Sequence, residues 1–303
     1  MTDTMAQIFS TLNDDGTLEV ALKRVDIPKP GAGEVLIRVQ ARPINPSDLG
    51  MMVSMADMQS ARSTGTAELP AMTLDFPKAF LSRFSDRLGT ALAIGNEGSG
   101  TVVATGEGAE ALQGKKVSFV GGGSYAEYRC VPAMSCLPLP DDADVRDGAS
   151  SFVNPMTALS MVETMKLEGF TGLVHTAAAS NLGQMLVRIC KADNVPLVNV
   201  VRSQAQVDLL KGQGAEHVCN SSDEDFMAQL ATAIEATGAM LAFDATGGGE
   251  LASDILNAME QVAARSLQGY SVYGSTTPKQ VYIYGGLDMG PTVLKRGFGF
   301  TWS

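Results

Sequence analysis

An apolar strand that runs into small residues and then into a helix constrains this chain more than any other feature. Leu173-Val174-His175 passes through Thr176-Ala177-Ala178 to Ala179-Ser180-Asn181-Leu182-Gly183, and an amphipathic pattern (Met185, Leu186, Ile189) follows. Strand, tight turn and helix are expected, with backbone N–H groups at the helix start able to hold a pyrophosphate. Ala and Ser replace most glycines of a G-x-G-x-x-G loop, so the surroundings carry the reading. A second apolar strand, Leu197-Val198-Asn199-Val200-Val201, ends at Arg202 and Ser203. An acidic side chain at this place binds a ribose 2′-hydroxyl, whereas an arginine suits a 2′-phosphate. The expected cofactor is NADP(H), held by Ala179 through Gly183 and by Arg202 with Ser203. The plainer alternative is an ordinary strand–helix–strand unit with a surface arginine.

The 303 residues are long enough for two domains, each with its own core. A hydrophobic fraction of 45% and a charged fraction of 18% fit a folded globular chain rather than disorder. The net charge of −11 argues against a nucleic-acid partner. No apolar run is long enough to cross a bilayer, and the first fifteen residues lack a basic stretch followed by an apolar core. Cys130, Cys136, Cys190 and Cys219 form no C-x-x-C pair and read as reduced thiols of a cytoplasmic protein. Cys190 falls on the apolar face of the helix after the turn. His175 and His217 belong to no spacing that would build a tetrahedral metal site, so no metal is expected.

The chain divides near residue 150, with domains expected at 1–150 and 151–303. Before that point short strands (35–40, 100–105, 116–120, 125–131) alternate with Pro and Gly turns, which suggests a small antiparallel barrel. After it, strands at 172–175, 197–201, 216–219, 240–243 and 281–284 alternate with helices at 204–212, 226–236 and 251–262. That alternation signals a doubly wound parallel sheet. A helix around 157–165 joins the halves. Ligands of such sheets bind beyond the carboxyl ends of the strands. The loops carrying Ala179–Gly183, Arg202, Thr246 with Gly247, and Tyr284 with Gly285 and Gly286 should therefore meet in one crevice.

At this point the chain resembles the medium-chain dehydrogenase/reductase superfamily, in its zinc-independent quinone oxidoreductase and enoyl reductase branch. Ile44-Asn45-Pro46-Ser47-Asp48 resembles the N-P-x-D element that replaces the first zinc-ligand segment. Gly95-Asn96-Glu97-Gly98-Ser99-Gly100 resembles G-H-E-x-x-G, with Asn96 where zinc members carry a histidine. Gly123-Ser124-Tyr125-Ala126-Glu127-Tyr128 matches the A-E-Y barrel strand. Asn154-Pro155-Met156-Thr157-Ala158-Leu159 matches the linker motif whose threonine, here Thr157, lies near the cofactor. The resemblance implies a GroES-like antiparallel β-barrel domain followed by a Rossmann doubly wound parallel sheet. It implies NADPH-dependent hydride transfer to a quinone or an α,β-unsaturated carbonyl, and a possible homodimer. Serine and asparagine at the ligand positions are poor zinc donors, and the cysteine-rich lobe of a structural zinc is absent.

Without zinc, the developing oxyanion or enolate needs hydrogen-bond donors. Asn45 is the first candidate for that role, and Asp48 the candidate that orients the loop or relays a proton. Both also suit turn and helix-cap chemistry. Tyr125 either faces a cleft or packs with its hydroxyl satisfied. Residues 54–93, rich in Met and Phe, form either a substrate wall or a satellite hydrophobic cluster. Gln206 stands where many NADPH-dependent members place a lysine, which leaves Arg202 to bind a 2′-phosphate largely alone. Family members continue past the fifth strand, so the C-terminal part is expected to be missing. The alternating aromatics of 298–302 read as the start of a sixth strand or as an interface segment. Two other functions remain open: a non-catalytic dinucleotide-binding fragment and, more distantly, a zinc alcohol dehydrogenase.

Overall fold

The computed structural model describes residues 4–267, 269 and 271–303. Contacts divide it into two units, one ending at Val153 and the other beginning at Asn154.

The first unit is antiparallel. Its strands are β1 (Thr4–Leu12), β2 (Thr17–Asp26), β3 (Glu34–Ala41), β4 (Asp57–Ser63), β5 (Ala71–Asp75), β6 (Ala91–Ala93), β7 (Glu97–Thr105), β8 (Lys116–Val120), β9 (Tyr128–Pro132) and β10 (Cys136–Pro138), and helix α1 (Pro46–Val53) follows β3. One five-stranded sheet runs β4-β5-β2-β1-β6 and the other β10-β8-β7-β3-β9. Alternate side chains of the second sheet point inward, so Val35, Ile37, Val39, Val102, Val117, Phe119 and Val131 form its core. β1 escapes a reading by alternation because the polar residues Ser10 and Gln7 are buried among its apolar ones. Residues 54–93 supply β4, β5 and β6 to the first sheet. Phe76 is buried with Leu12, Leu18 and Leu74, and Met72, Phe80 and Phe84 pack around it. The apolar side chains of this stretch thus form a second core, with Phe76 and Phe84 edge to face at 5.3 Å. Met55 and Met58 remain exposed.

The second unit begins with α2 (Val153–Leu167), whose first residue closes the first unit, and continues through β11 (Leu173–His175), α3 (Asn181–Asp193), β12 (Leu197–Val201), α4 (Gln204–Gly212), β13 (His217–Asn220), α5 (Phe226–Thr237), β14 (Leu241–Asp244), β15 (Gly247–Gly249), α6 (Leu251–Ala264), β16 (Gln280–Ile283) and β17 (Asp288–Thr292). The main sheet is parallel throughout, ordered β13-β12-β11-β14-β16. Its two faces are covered by different helices. Leu173, Leu197, Val201 and Phe243 meet α2, α3 and α4 through Met161, Leu186 and Leu210. Val174, Val198, Val200 and Ala242 meet α5 and α6 through Leu230, Ile234 and Ile255. Burial on both faces explains why these strands read as continuous apolar runs.

One feature was not legible in the sequence. Gly247–Gly249 pairs in parallel with β17 as a separate two-stranded sheet. The C-terminal aromatics lie beside β16: Trp302 bridges Lys279, Ser303 donates to the Lys279 carbonyl at 3.0 Å, and Val281 donates to the Ser303 carbonyl at 3.0 Å. Of the two readings of that segment, the start of a sixth strand fits this pairing, which is a single parallel bridge at Trp302.

Candidate functional site

Each unit carries one cluster of candidate residues. In the second unit the cluster lies at the carboxyl edge of the parallel sheet. The chain leaves β11 through Thr176 and turns at Ala177, whose φ of 48° is left-handed. A side chain there costs roughly 1–2 kcal/mol, and this is where a dinucleotide loop commonly uses glycine. The Ala178 N–H donates to the Val200 carbonyl at 3.2 Å, which ties the turn to β12. Ser180 caps α3, its Oγ accepting from the Gly183 N–H at 3.1 Å. The N–H groups of a helix's first turn have no intrahelical partner, and the helix dipole makes this end attractive to an anion.

Gly183 is required by space. A Cβ there would stand 2.2 Å from the Ala178 carbonyl oxygen, in contact with backbone that cannot move aside cheaply. Gly183→Ala is expected to destabilise the second unit by about 1–3 kcal/mol, measured by urea unfolding, because helix and turn must separate.

A buried carboxylate joins the neighbouring strand ends. Asp244, last residue of β14, accepts from Thr176 Oγ1 at 2.7 Å, from the Thr246 N–H at 2.9 Å and from the Gly247 N–H at 3.1 Å. Thr176 Oγ1 in turn accepts from the Ala245 N–H at 2.8 Å. The Asp244 carbonyl receives the N–H groups of Tyr284 and Gly285. Gly285 packs so closely on Ala245 that a Cβ would meet its carbonyl oxygen at 2.4 Å. The ends of β11, β14 and β16 are therefore welded together, and Ala179–Gly183, Thr246, Gly247, Tyr284, Gly285 and Gly286 stand at one edge.

Arg202 and Ser203 follow β12 at the same edge. The Arg202 N–H donates to Gln206 Oε1 at 3.1 Å, so Gln206 serves the backbone rather than a ligand. Arg202 is exposed, and among the described residues its guanidinium makes no ion pair or hydrogen bond. Ser203 is the N-cap residue of α4. Thr157 lies half-buried in the first turns of α2, beside the core residue Ala158.

His175 is the feature that sequence reasoning missed. It is fully buried at the end of β11, and its Nε2 lies 2.8 Å from Tyr284 Oη. Burial pushes its pKa down to about 4, so the ring is neutral at physiological pH. The unfolded chain takes up this proton near pH 6.5, the native chain only near pH 4. Stability contributed by the neutral ring is thus complete above pH 6.5 and falls as the pH drops towards 4, by roughly 3 kcal/mol. His175→Gln is expected to remove that part of the acid dependence in urea titrations at pH 7, 5.5 and 4.5.

The first unit's cluster surrounds Asn45 and Asp48, both buried. Asn45 precedes α1 and Pro46 starts it, a good helix opening. Asp48 Oδ2 accepts from the Asn45 N–H at 2.8 Å, one half of a capping box. Its Oδ1 accepts from the Asn96 N–H at 2.9 Å and from Asn96 Nδ2 at 2.7 Å. Asn96 Nδ2 also reaches Ser47 Oγ at 3.1 Å. Asn45 Nδ2 donates to Glu97 Oε1 at 3.0 Å, while Glu97 Oε2 accepts from the N–H groups of Phe152 and Val153 at 2.7 and 3.1 Å. Glu97, which the match to G-H-E-x-x-G contained without giving it a role, is thus the hub of the cluster. Tyr125 donates to the Pro43 carbonyl at 2.8 Å, and its pKa is pushed up to about 12 by burial and then by the Asp48 charge. Its packing role, with the hydroxyl satisfied, is the one the geometry describes.

This donor set does not fit zinc. Asp48 is already shared among three N–H donors, Ser47 and Asn96 offer a hydroxyl and an amide, and no thiolate or imidazole joins them. Among the described residues no group of three or more His, Cys, Asp or Glu side chains could hold a metal ion. No helix there is long and apolar enough to cross a membrane.

An antiparallel unit followed by a doubly wound sheet, with a capped turn and a bare arginine at its carboxyl edge, defines a protein of the dinucleotide-dependent dehydrogenase type. Comparison with known proteins agrees. The family model described as alcohol dehydrogenase GroES-like domain matches residues 31–141, and that described as zinc-binding dehydrogenase matches 182–293. The "putative NADPH:quinone reductase" of Mesorhizobium loti is 30% identical, with 97% of this chain and 77% of that chain covered and a TM-score of 0.66. A mycobacterial protein solved with NADPH has the same fold at 22% identity and a TM-score of 0.62, over 95% of this chain and 75% of that one. Mitochondrial enoyl-[acyl-carrier-protein] reductase of Bos taurus is 27% identical over 67% of this chain and 49% of that protein. Prostaglandin reductase-3 of Mus musculus is 29% identical over 68% of this chain and 48% of that protein. The chain belongs to the medium-chain dehydrogenase/reductase superfamily, in the branch of quinone and enoyl reductases. Its matches span about half the length of these curated relatives.

Proposed function

We propose that the chain is a zinc-independent, NADPH-dependent oxidoreductase that reduces a quinone or an α,β-unsaturated carbonyl. The observation that carries this reading is the unpaired Arg202 guanidinium at the end of β12, on the sheet edge that bears the capped turn. Bound NADPH would supply the hydride from C4 of its nicotinamide. Residues Ala179–Gly183 hold the pyrophosphate at the α3 N-terminus, and Arg202 with Ser203 holds the 2′-phosphate. Thr157, Thr246, Gly247, Tyr284, Gly285 and Gly286 line the remainder of the cofactor site. In the first unit Asn45 donates to the substrate oxygen on which negative charge develops. Asp48 acts through Asn45, fixing its backbone by the capping bond. The first unit is the substrate domain and the second the cofactor domain of a cytoplasmic enzyme.

The depth of the Asn45 cluster favours a second reading. Asn45 is only 3% exposed and its amide already donates to Glu97, an arrangement that also suits a dinucleotide-binding protein without turnover. Following NADPH absorbance with a naphthoquinone and with an enone separates the two. Steady oxidation dependent on the acceptor supports the reductase. Tight NADPH binding with no turnover on either acceptor supports the second reading.

A further inference from the structure

His175 and Asn199 are two strand residues whose buried polar atoms the cofactor and substrate roles leave unexplained. They are register partners on the adjacent parallel strands β11 and β12, so their side chains lie on the same face of the sheet. Both are almost wholly buried. Among the described residues, His175 Nδ1 and Asn199 Oδ1 have no hydrogen-bond partner. Such orphans are rare in folded proteins and call for an explanation.

The orientation of the asparagine is not free. Its Nδ2 donates to the His217 carbonyl at 3.2 Å, which only a donor can do, so the outstanding atom is the acceptor Oδ1. An acceptor needs a donor. A proton on Nδ1 of the neighbouring histidine makes the two orphans complementary, donor to acceptor, and a single buried water is enough to join them, whereas a bare Nδ1 would set a second acceptor beside the first. Nε2 is then a bare lone pair. It faces Tyr284 Oη at 2.8 Å, so the tyrosine must be the donor of that bond. The two rings lie nearly parallel, centroids 6.0 Å apart, and the Tyr284 backbone is held by its N–H bond to Asp244. The hydroxyl proton is used inward, which leaves the oxygen only lone pairs to offer the sheet edge.

We propose that His175 is a positioning residue: with Asn199 it holds the Nδ1–H tautomer, and so keeps Tyr284 at the cofactor edge as a hydrogen-bond acceptor. The ligand group it would receive is a donor of the bound nucleotide, an amide N–H or a ribose hydroxyl. This deepens the cofactor reading and rests on it for that last step only. Burial keeps the ring neutral at physiological pH, so the arrangement does not switch there.

The chain holds only two histidines, which makes a direct test practical. In the full chain labelled with 15N-histidine, long-range proton–nitrogen spectra report which ring nitrogen is protonated, and His217→Gln assigns the signals. The expected result is a neutral His175 protonated at Nδ1, unchanged between pH 5.5 and 8. A proton on Nε2, or titration near pH 6.5, overturns the proposal. NADPH affinity then tests the route through Tyr284. Tyr284→Phe and His175→Phe are each expected to weaken NADPH about tenfold, the double variant no further, and His175→Gln, which keeps an acceptor, to restore most of the loss. Additive losses overturn the coupling. Absence of NADPH binding to the unaltered chain would instead contradict the cofactor reading and leave the spectrum to decide the tautomer.

Discussion

Lys279→Met is expected to destabilise the second unit by about 3–5 kcal/mol, a large part of the stability of an ordinary domain. The Lys279 ammonium is fully buried and lies 2.7 Å from Glu260 Oε2, on a carboxylate that is itself 8% exposed. It also donates to Ser275 Oγ at 3.1 Å and to the Thr277 carbonyl at 2.9 Å. Glu260 receives the Ser275 N–H and hydroxyl, both at 2.6 Å. The pair therefore clamps the strand β16 to helix α6 at the place where Trp302 runs alongside and Phe298 is buried. Removing the cation leaves a buried carboxylate with Ser275 alone.

Burial acts to raise the Glu260 pKa, but Lys279 and Ser275 outweigh it and hold the group below its ordinary value. The pair's contribution is therefore present above the carboxyl range and lost as the pH falls through it. In Lys279→Met the carboxyl protonates more readily, so the damage is largest near neutrality and smaller at pH 4.5. Adding Glu260→Leu is expected to recover much of the loss, because a matched apolar pair leaves no lone charge. Urea unfolding of the two variants at both pH values checks this. A loss below about 1 kcal/mol at pH 7 would mean that the pair behaves like an exposed one.

Arg202→Asp is expected to weaken NADPH by about 100-fold while changing NADH by less than about threefold. A charge-assisted contact to phosphate contributes about 1.5–3 kcal/mol, and reversing the charge adds repulsion. The side chain is exposed and, among the described residues, unpaired, so its loss should leave folding unchanged. Nicotinamide fluorescence titrations with each nucleotide give the ratio directly. Equal weakening of both would show that Arg202 does not read the 2′-phosphate.

How far the sequence could be read depended on what each segment buries. β12 is legible to the residue because Leu197–Val201 is covered on both faces. β14 and β16 lie within one residue of expectation for the same reason. The α4 boundaries follow from Ser203 before it and Gly212 at its end. β1 was not legible, since buried Gln7 and Ser10 break its alternation. β15 is three glycines, which carry no pattern of hydrophobicity.

The sites were less legible than the fold. The turn and Arg202 could be proposed as cofactor contacts because strand ends converge by topology. Asp244 and Lys279 could not be singled out, because neither belongs to a short motif and each depends on a partner on another element, Thr176 and Glu260 respectively, while Glu97 stood in a matched motif that gave it no role. His175 reads as an ordinary strand residue, and only its 2.8 Å approach to Tyr284 gives it a role. Asn96 was noticed as a substituted ligand position. Its tie to Asp48 explains why an amide stands there.

The most direct test of the central claim is a fluorescence titration of the unaltered chain with NADPH and with NADH. The Arg202 edge and the capped turn predict saturable binding of both, with NADPH at least tenfold tighter. Equal affinities would contradict the role given to Arg202, and no binding of either nucleotide would contradict the cofactor site itself.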